Sequence, residues 1–102
     1  MIKTKSIKAI HLFINGKVQG VSYRWWFKKE AEKNKLNGWV RNRTSNRVEA
    51  QIVGDEKNIN IMVEKCRKGP PLADVEDVIV SDIKEISNID NDLSGIKILE
   101  TV

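Results

Sequence analysis

The chain has 102 residues, 40% hydrophobic and 31% charged, with 18 Lys and Arg against 14 Asp and Glu, enough for one compact domain and unlike a disordered or collagen-like chain. No apolar run approaches the roughly 20 residues of a membrane span, and the basic start, Met1 to Lys8, has no apolar signal core behind it, so neither membrane insertion nor export is expected. Single copies of cysteine (Cys66) and histidine (His11) exclude a disulfide framework and the common zinc sets, and fit a reducing cytoplasm.

Ile10, Leu12 and Ile14 alternate with His11 and Phe13, the period of a first strand, which the Asn15-Gly16 turn signal is expected to close. From Ser22 onward Tyr23, Phe27 and Ala31 recur at four-residue spacing while Lys28, Lys29, Glu32 and Lys33 fall elsewhere, predicting a helix with Asn37-Gly38 as its C-cap. Trp39, Val40, Arg41 and Arg43 read as a second strand. Val48, Ala50 and Ile52 alternate with Glu49 and Gln51 as a third, and the short Thr44-Ser45-Asn46-Arg47 connection makes the two a hairpin.

Asp55 is a suitable N-cap for a second helix, whose apolar stripe is Ile59, Met62, Val63 and Cys66, and Gly69-Pro70-Pro71 stops it. Val75 to Ile86 is rich in β-branched residues, but its alternation slips near Ser81-Asp82, so a fourth strand with a bulge there is expected. Ser87 to Gly95 reads as a polar loop, and Ile96 to Val102 as a short final strand. The order strand, helix, strand, strand, helix, strand predicts an α+β, ferredoxin-like split βαβ sandwich: an antiparallel sheet of four or five strands with both helices on one face. That fold hosts enzymes, nucleic-acid readers and metal carriers alike, so function has to come from the site.

Charge divides the chain. Residues 1–47 carry 12 basic and 2 acidic groups, a net +10, and residues 48–102 carry 6 basic and 12 acidic, a net −6. An anionic ligand held by the first half is one reading, and charges that mix once the strands interleave is the other. The segment Gly16-Lys17-Val18-Gln19-Gly20-Val21-Ser22-Tyr23-Arg24 lies between strand and helix, where curved backbone N–H groups and a helix N-terminus make an anion site. Arg24 is a cation in a helix's first turn, slightly unfavourable unless an anion binds, and its planar fork suits phosphate oxygens. Asn42 interrupts a strand run, where its propensity is poor, and its amide can hold a water without removing a proton. Taken singly, each has a plain reading, a surface arginine after a glycine turn and a strand-end asparagine.

Together, Gly16 to Arg24 and the later Gly38-Trp39-Val40-Arg41-Asn42, followed by Val48 and Gly54, resemble the two signatures of the acylphosphatase family, and Gly69-Pro70-Pro71 resembles that family's loop after the second helix. The resemblance covers residues 8–102 as a single domain and leaves residues 1–7 as a flexible basic extension. It implies hydrolysis of the carboxyl–phosphate bond of a small acyl phosphate to a carboxylate and inorganic phosphate, with phosphate also a competitive inhibitor. It implies that Arg24 binds the phosphate, that the backbone N–H groups of Gln19, Gly20, Val21, Ser22, Tyr23 and Arg24 cradle its oxygens, and that Asn42 holds the attacking water, with no metal or cofactor. Two departures stand out: Tyr23 where the family has Phe or Met, and Asn46 where it has Gly. Asn tolerates a positive φ, so the hairpin is expected to survive with some strain, and the Tyr23 hydroxyl needs a partner or an exposed tip.

His11 is expected on the sheet's outer face, Cys66 in helix packing, and Arg41, Arg43 and Arg47 either steering anions or on a solvated face. Adjacent Trp25 and Trp26 cannot share a helix face, so one is a candidate for the acyl side of the pocket. The alternatives are a non-catalytic anion-binding domain and a nucleic-acid-binding module. Against the second, the third strand, Val48 to Val53, carries no aromatic residue, so nucleic acid is not the expected partner; a monomer is expected.

Overall fold

The computed structural model describes residues 6–84 and 95–102. Its elements are β1 (Ile7–Lys17), α1 (Tyr23–Lys33), β2 (Asn37–Arg43), β3 (Arg47–Asp55), α2 (Glu56–Lys68), β4 (Asp74–Asp82) and β5 (Ile96–Ile98). They form one five-stranded sheet in the order β4-β1-β3-β2-β5. β1 pairs antiparallel with both β3 and β4, and β2 with β3. The pairing of β5 with β2 is parallel, so the ferredoxin-like sandwich stands but its sheet is not wholly antiparallel.

Alternation sorts the sheet into two faces. Ile10, Leu12 and Ile14 of β1 sit opposite Ile52, Ala50 and Val48 of β3, and these six join Val40, Val78 and Ile96 in a core with Tyr23, Phe27 and Ala31 of α1 and Ile59, Met62, Val63 and Cys66 of α2. Both helices therefore cover the same face, along the stripes their periodicity predicts. Phe27 has no exposed surface, a burial worth about 1.5–3 kcal/mol.

The molecule departs from the local expectations mainly at element ends. Asn15-Gly16 does not close β1, because the strand runs on to Lys17 against β4 with a register shift between Asn15 and Gly16. That shift is the sheet's irregularity, and β4 stays regular near Ser81 and Asp82, which pair with His11 and Ile10. Asn-Gly here marks a bulge and not a turn.

The end of α1 differs as well. The helix stops at Lys33, and the Leu36 N–H donates to Ala31 O while Lys35 N–H donates to Glu32 O, both at 3.0 Å, the Schellman closure with Lys35 at φ 59° in place of glycine. Asn37 and Gly38 belong to β2, where a Cβ on Gly38 would strike the Gln51 carbonyl of β3; the glycine serves close strand approach. β4 ends at Asp82, with Ile83 and Lys84 already outside it, short of the expected run to Ile86, and β5 spans only Ile96–Ile98 of the expected Ile96 to Val102. Residues 85–94, most of the expected polar loop among them, lie outside the described residues, as do residues 1–5. The ladder reaches back to Ile7, opposite Asp55, and Ser6 O accepts from Glu56 N–H at 2.8 Å.

Asp55 caps α2 as read, its Oδ1 accepting from Lys57 N–H at 2.9 Å. Asn46 takes φ 62° in the β2–β3 hairpin, the left-handed conformation expected of the residue that replaces glycine there.

Candidate active site

Two buried valines anchor the loop that leaves β1. Val18 and Val21 are both in the core, so the intervening Gln19-Gly20 is forced outward. Gly20 has φ 74° and Ser22 φ 62°, two left-handed residues that curl the loop into the start of α1. Nothing lies within 4 Å of a Cβ built on Gly20, so this glycine is required by its φ and not by space. Ser22 is the N-cap of α1 but makes no side-chain capping bond, and the first turn holds no acidic residue. The N-terminal N–H groups of a helix left in this state face outward with the positive end of its dipole.

The loop forms one wall of a cleft of about 460 Å³ lined by Val18, Gln19, Gly20, Ser22, Tyr23, Arg24, Trp25, Asn42 and Ile98. Arg24 and Asn42, 18 positions apart in the chain, are thereby brought together. Arg24 is half-buried and has no hydrogen bond or ion pair among the described residues. Asn42 lies two residues after Val40 on the helix-covered face, opposite Val48, and its Oδ1 is buried without a partner. A half-buried cation without a counter-ion and an orphaned buried acceptor are each costly in a folded protein. In one cleft they are complementary to a ligand with an anionic end and a hydrogen-bond donor.

The side chain of Gln19 has a second task, which the sequence does not reveal. Its Nε2 donates to Arg43 O at 2.7 Å and to Arg47 O at 3.0 Å, tying the loop to both ends of the hairpin, one residue from Asn42. Beyond β5 the chain follows β2, with Leu99 N–H donating to Val40 O at 2.9 Å and Thr44 N–H to Val102 O at 3.0 Å. The parallel pairing of β5 puts Ile98 opposite Val40 and so into the cleft, a neighbour no local pattern announces.

Tyr23 finds the partner its hydroxyl needs: the O–H donates to Cys66 O at 2.8 Å inside the core. Burial, then the neighbouring Cys66, pushes the phenol's pKa far up. Burial also pushes the Cys66 thiol up to about 12, against the opposing pull of Tyr23 and Arg67, which leaves it an unreactive packing residue. Tyr23 stacks obliquely with Trp26, ring centroids 5.2 Å apart, so of the adjacent tryptophans Trp26 faces the core edge and Trp25 the cleft.

The strand arginines are on the other side of the sheet. Arg41 lies over Trp39 at 5.0 Å and Arg47 over Phe13 at 4.0 Å, while Arg43 and His11 both meet Glu49, at 3.3 and 2.6 Å. Lys8 with Asp82 and Lys65 with Glu30 likewise join the two halves of the chain. The strand order therefore brings basic groups of the first half against acidic groups of the second in these pairs. Among the described residues no cluster of His, Cys, Asp and Glu is arranged to hold a metal, and no helix is long and apolar enough to cross a membrane.

The fold and cleft define a class, an α+β sandwich of ferredoxin-like topology whose β1–α1 loop and uncapped first helical turn line a cleft. A family model, Acylphosphatase, matches residues 10–92. The acylphosphatase of Acidiphilium cryptum (strain JF-5) is 45% identical over 71 residues, 70% of this chain and 78% of that protein. Among solved structures, an acylphosphatase from Coxiella burnetii superposes with a TM-score of 0.83 at 33% identity, covering 96% of this chain and all of that one. The acylphosphatase from Bacillus subtilis gives 0.81 at 32% identity, covering 90% and 98%. The chain belongs to the acylphosphatase family, hydrolases of acyl phosphates.

Proposed function

We propose that the carboxyl–phosphate bond of a small acyl phosphate is hydrolysed in this cleft, with Arg24 and the backbone N–H groups of Gln19 to Arg24 holding the phosphoryl oxygens and Asn42 holding the attacking water. The observation that carries the reading is the pairing, in one cleft, of a half-buried Arg24 without a counter-ion and a buried Asn42 Oδ1 without a donor. The orphaned Oδ1 accepts a hydrogen bond from the water and orients its lone pair toward phosphorus. As the water oxygen forms its bond to phosphorus, the bond from phosphorus to the acyl oxygen breaks and its electron pair leaves with the carboxylate. The water's proton passes to a phosphoryl oxygen, giving inorganic phosphate. A carboxylate leaves without protonation, so no general acid is needed, and a loose phosphoryl transition state depends on positioning and on neutralising its equatorial oxygens. His11, across the sheet, takes no part.

In this reading residues 8–102 act as one domain and as a monomer. No step is assigned to a metal, nucleic acid is not a partner, and the buried free thiol of Cys66 suits a reducing cytoplasm. The test is hydrolysis of benzoyl phosphate at mildly acidic pH against the spontaneous rate. Saturable turnover, inhibited competitively by inorganic phosphate and unchanged by a chelator, is expected. A folded protein that binds phosphate yet leaves the spontaneous rate unchanged would establish the anion-binding alternative instead.

A further inference from the structure

The acyl half of the substrate must also find surroundings, and the cleft's lining is divided for it. Gln19, Gly20, Ser22, Arg24 and Asn42 supply polar atoms and backbone. Val18 and Tyr23 are each only 1% exposed and present almost nothing to a ligand. The apolar surface on offer comes from Trp25, 59% exposed, and Ile98, 41% exposed, one from the first turn of α1 and the other from β5. Trp26 next door is packed on Tyr23, whereas the Trp25 ring makes no aromatic contact among the described residues. Arg24 and Trp25 line the same cleft, so the group bonded to a phosphate held by the guanidinium shares that cleft with the indole.

We propose that Trp25 and Ile98 form an acyl subsite that selects apolar, flat acyl groups, aromatic ones above all, over acetyl-sized ones. This rests on the phosphate lying at Arg24 as described above. An indole face is a large, rigid surface that stacks on another ring with little loss of side-chain freedom, and Ile98 adds a branched aliphatic wall. An acetyl group reaches too little of either surface to be held by them. Both side chains are already half in solvent, so removing them leaves the core that folds the chain intact.

The experiment compares kcat/KM for benzoyl phosphate and acetyl phosphate in the wild type, Trp25→Ala, Trp25→Phe and Ile98→Ala, with the inhibition constant of inorganic phosphate measured alongside. The benzoyl-to-acetyl ratio is expected to fall about tenfold in Trp25→Ala and about threefold in Ile98→Ala, mainly through KM, and to recover in Trp25→Phe. Inorganic phosphate has no acyl group, so its inhibition constant is expected to move by less than about twofold. A ratio unchanged in Trp25→Ala overturns the subsite, as does a loss shared equally by both substrates and by phosphate. A wild type that hydrolyses neither substrate overturns the proposed function and the subsite with it, an outcome distinct from turnover with an unmoved ratio.

Discussion

The two helices start in opposite ways. At α2, Asp55 sits at φ −60°, its carboxylate accepts from Lys57 N–H, and Glu56 adds a second acid to the first turn, so the exposed N–H groups and the dipole are answered by the chain itself. At α1, Ser22 is held at φ 62° without a capping bond, the first turn has no acid, and it carries Arg24. Both helices pack on the same sheet face and bury comparable apolar stripes, so packing does not explain the difference. A non-glycine residue in the left-handed region costs about 1–2 kcal/mol and a missing cap about 1 kcal/mol. The chain tolerates both at the one terminus that opens on the cleft. The end of α2 is capped by its own chain, and the end of α1 is left open on the cleft.

The largest effect should come from the cation at the open terminus. Arg24→Gln keeps hydrogen bonding but removes the charge, and kcat/KM is expected to fall about 10³-fold, roughly 4 kcal/mol of transition-state stabilisation, with competitive inhibition by phosphate lost. Retained phosphate inhibition in that variant would place the anion elsewhere. Asn42→Ala comes next: kcat should drop about 10²-fold while the phosphate inhibition constant holds within about twofold. Full activity in Asn42→Ala would sink its water-holding role.

Ser22→Asp sharpens the contrast by giving α1 the carboxylate that α2 already has. The added charge repels the substrate phosphate, so the phosphate inhibition constant should rise about tenfold while the melting temperature stays level or increases. An unchanged constant would show that the open terminus does not face the anion. The mirror experiment, Asp55→Ala, should cost about 1 kcal/mol in urea unfolding and leave kcat and KM as they were. A kinetic defect there would mean the two termini are not independent.

The same contrast shows what can be read before folding. The cap at Asp55 and the stripe Ile59, Met62, Val63 and Cys66 are local patterns, and the structure bears them out. The open end of α1 is legible too, in Gly20 and in a first-turn Arg24 that no local carboxylate balances. What fails is punctuation. Asn15-Gly16 and Asn37-Gly38 both carry turn chemistry, yet one marks a bulge and the other sits in a strand crossed closely by Gln51. Both glycines combine a positive φ with a neighbouring backbone too close for a Cβ, and nothing in the two dipeptides separates that use from a turn. The true end of α1 carries Lys35 in the left-handed position, where propensity gives no warning.

The order of the elements, the face each buries, the polar residues proposed to meet an anion and the lack of a disulfide framework are legible along the chain, because periodicity, capping and residue counts are properties of neighbouring positions. Which of those residues meet depends on how the strands are arranged. The order β4-β1-β3-β2-β5 interleaved the charged halves, set the strand arginines on the outer face and carried Ile98 into the cleft. It also gave the Gln19 carboxamide its two carbonyls across the hairpin and turned Trp25 outward while Trp26 packed on Tyr23. Strand order and register depend on every pairing at once, and a shift of one residue would exchange the faces of a whole strand, so contacts across the sheet are outside the reach of any local pattern.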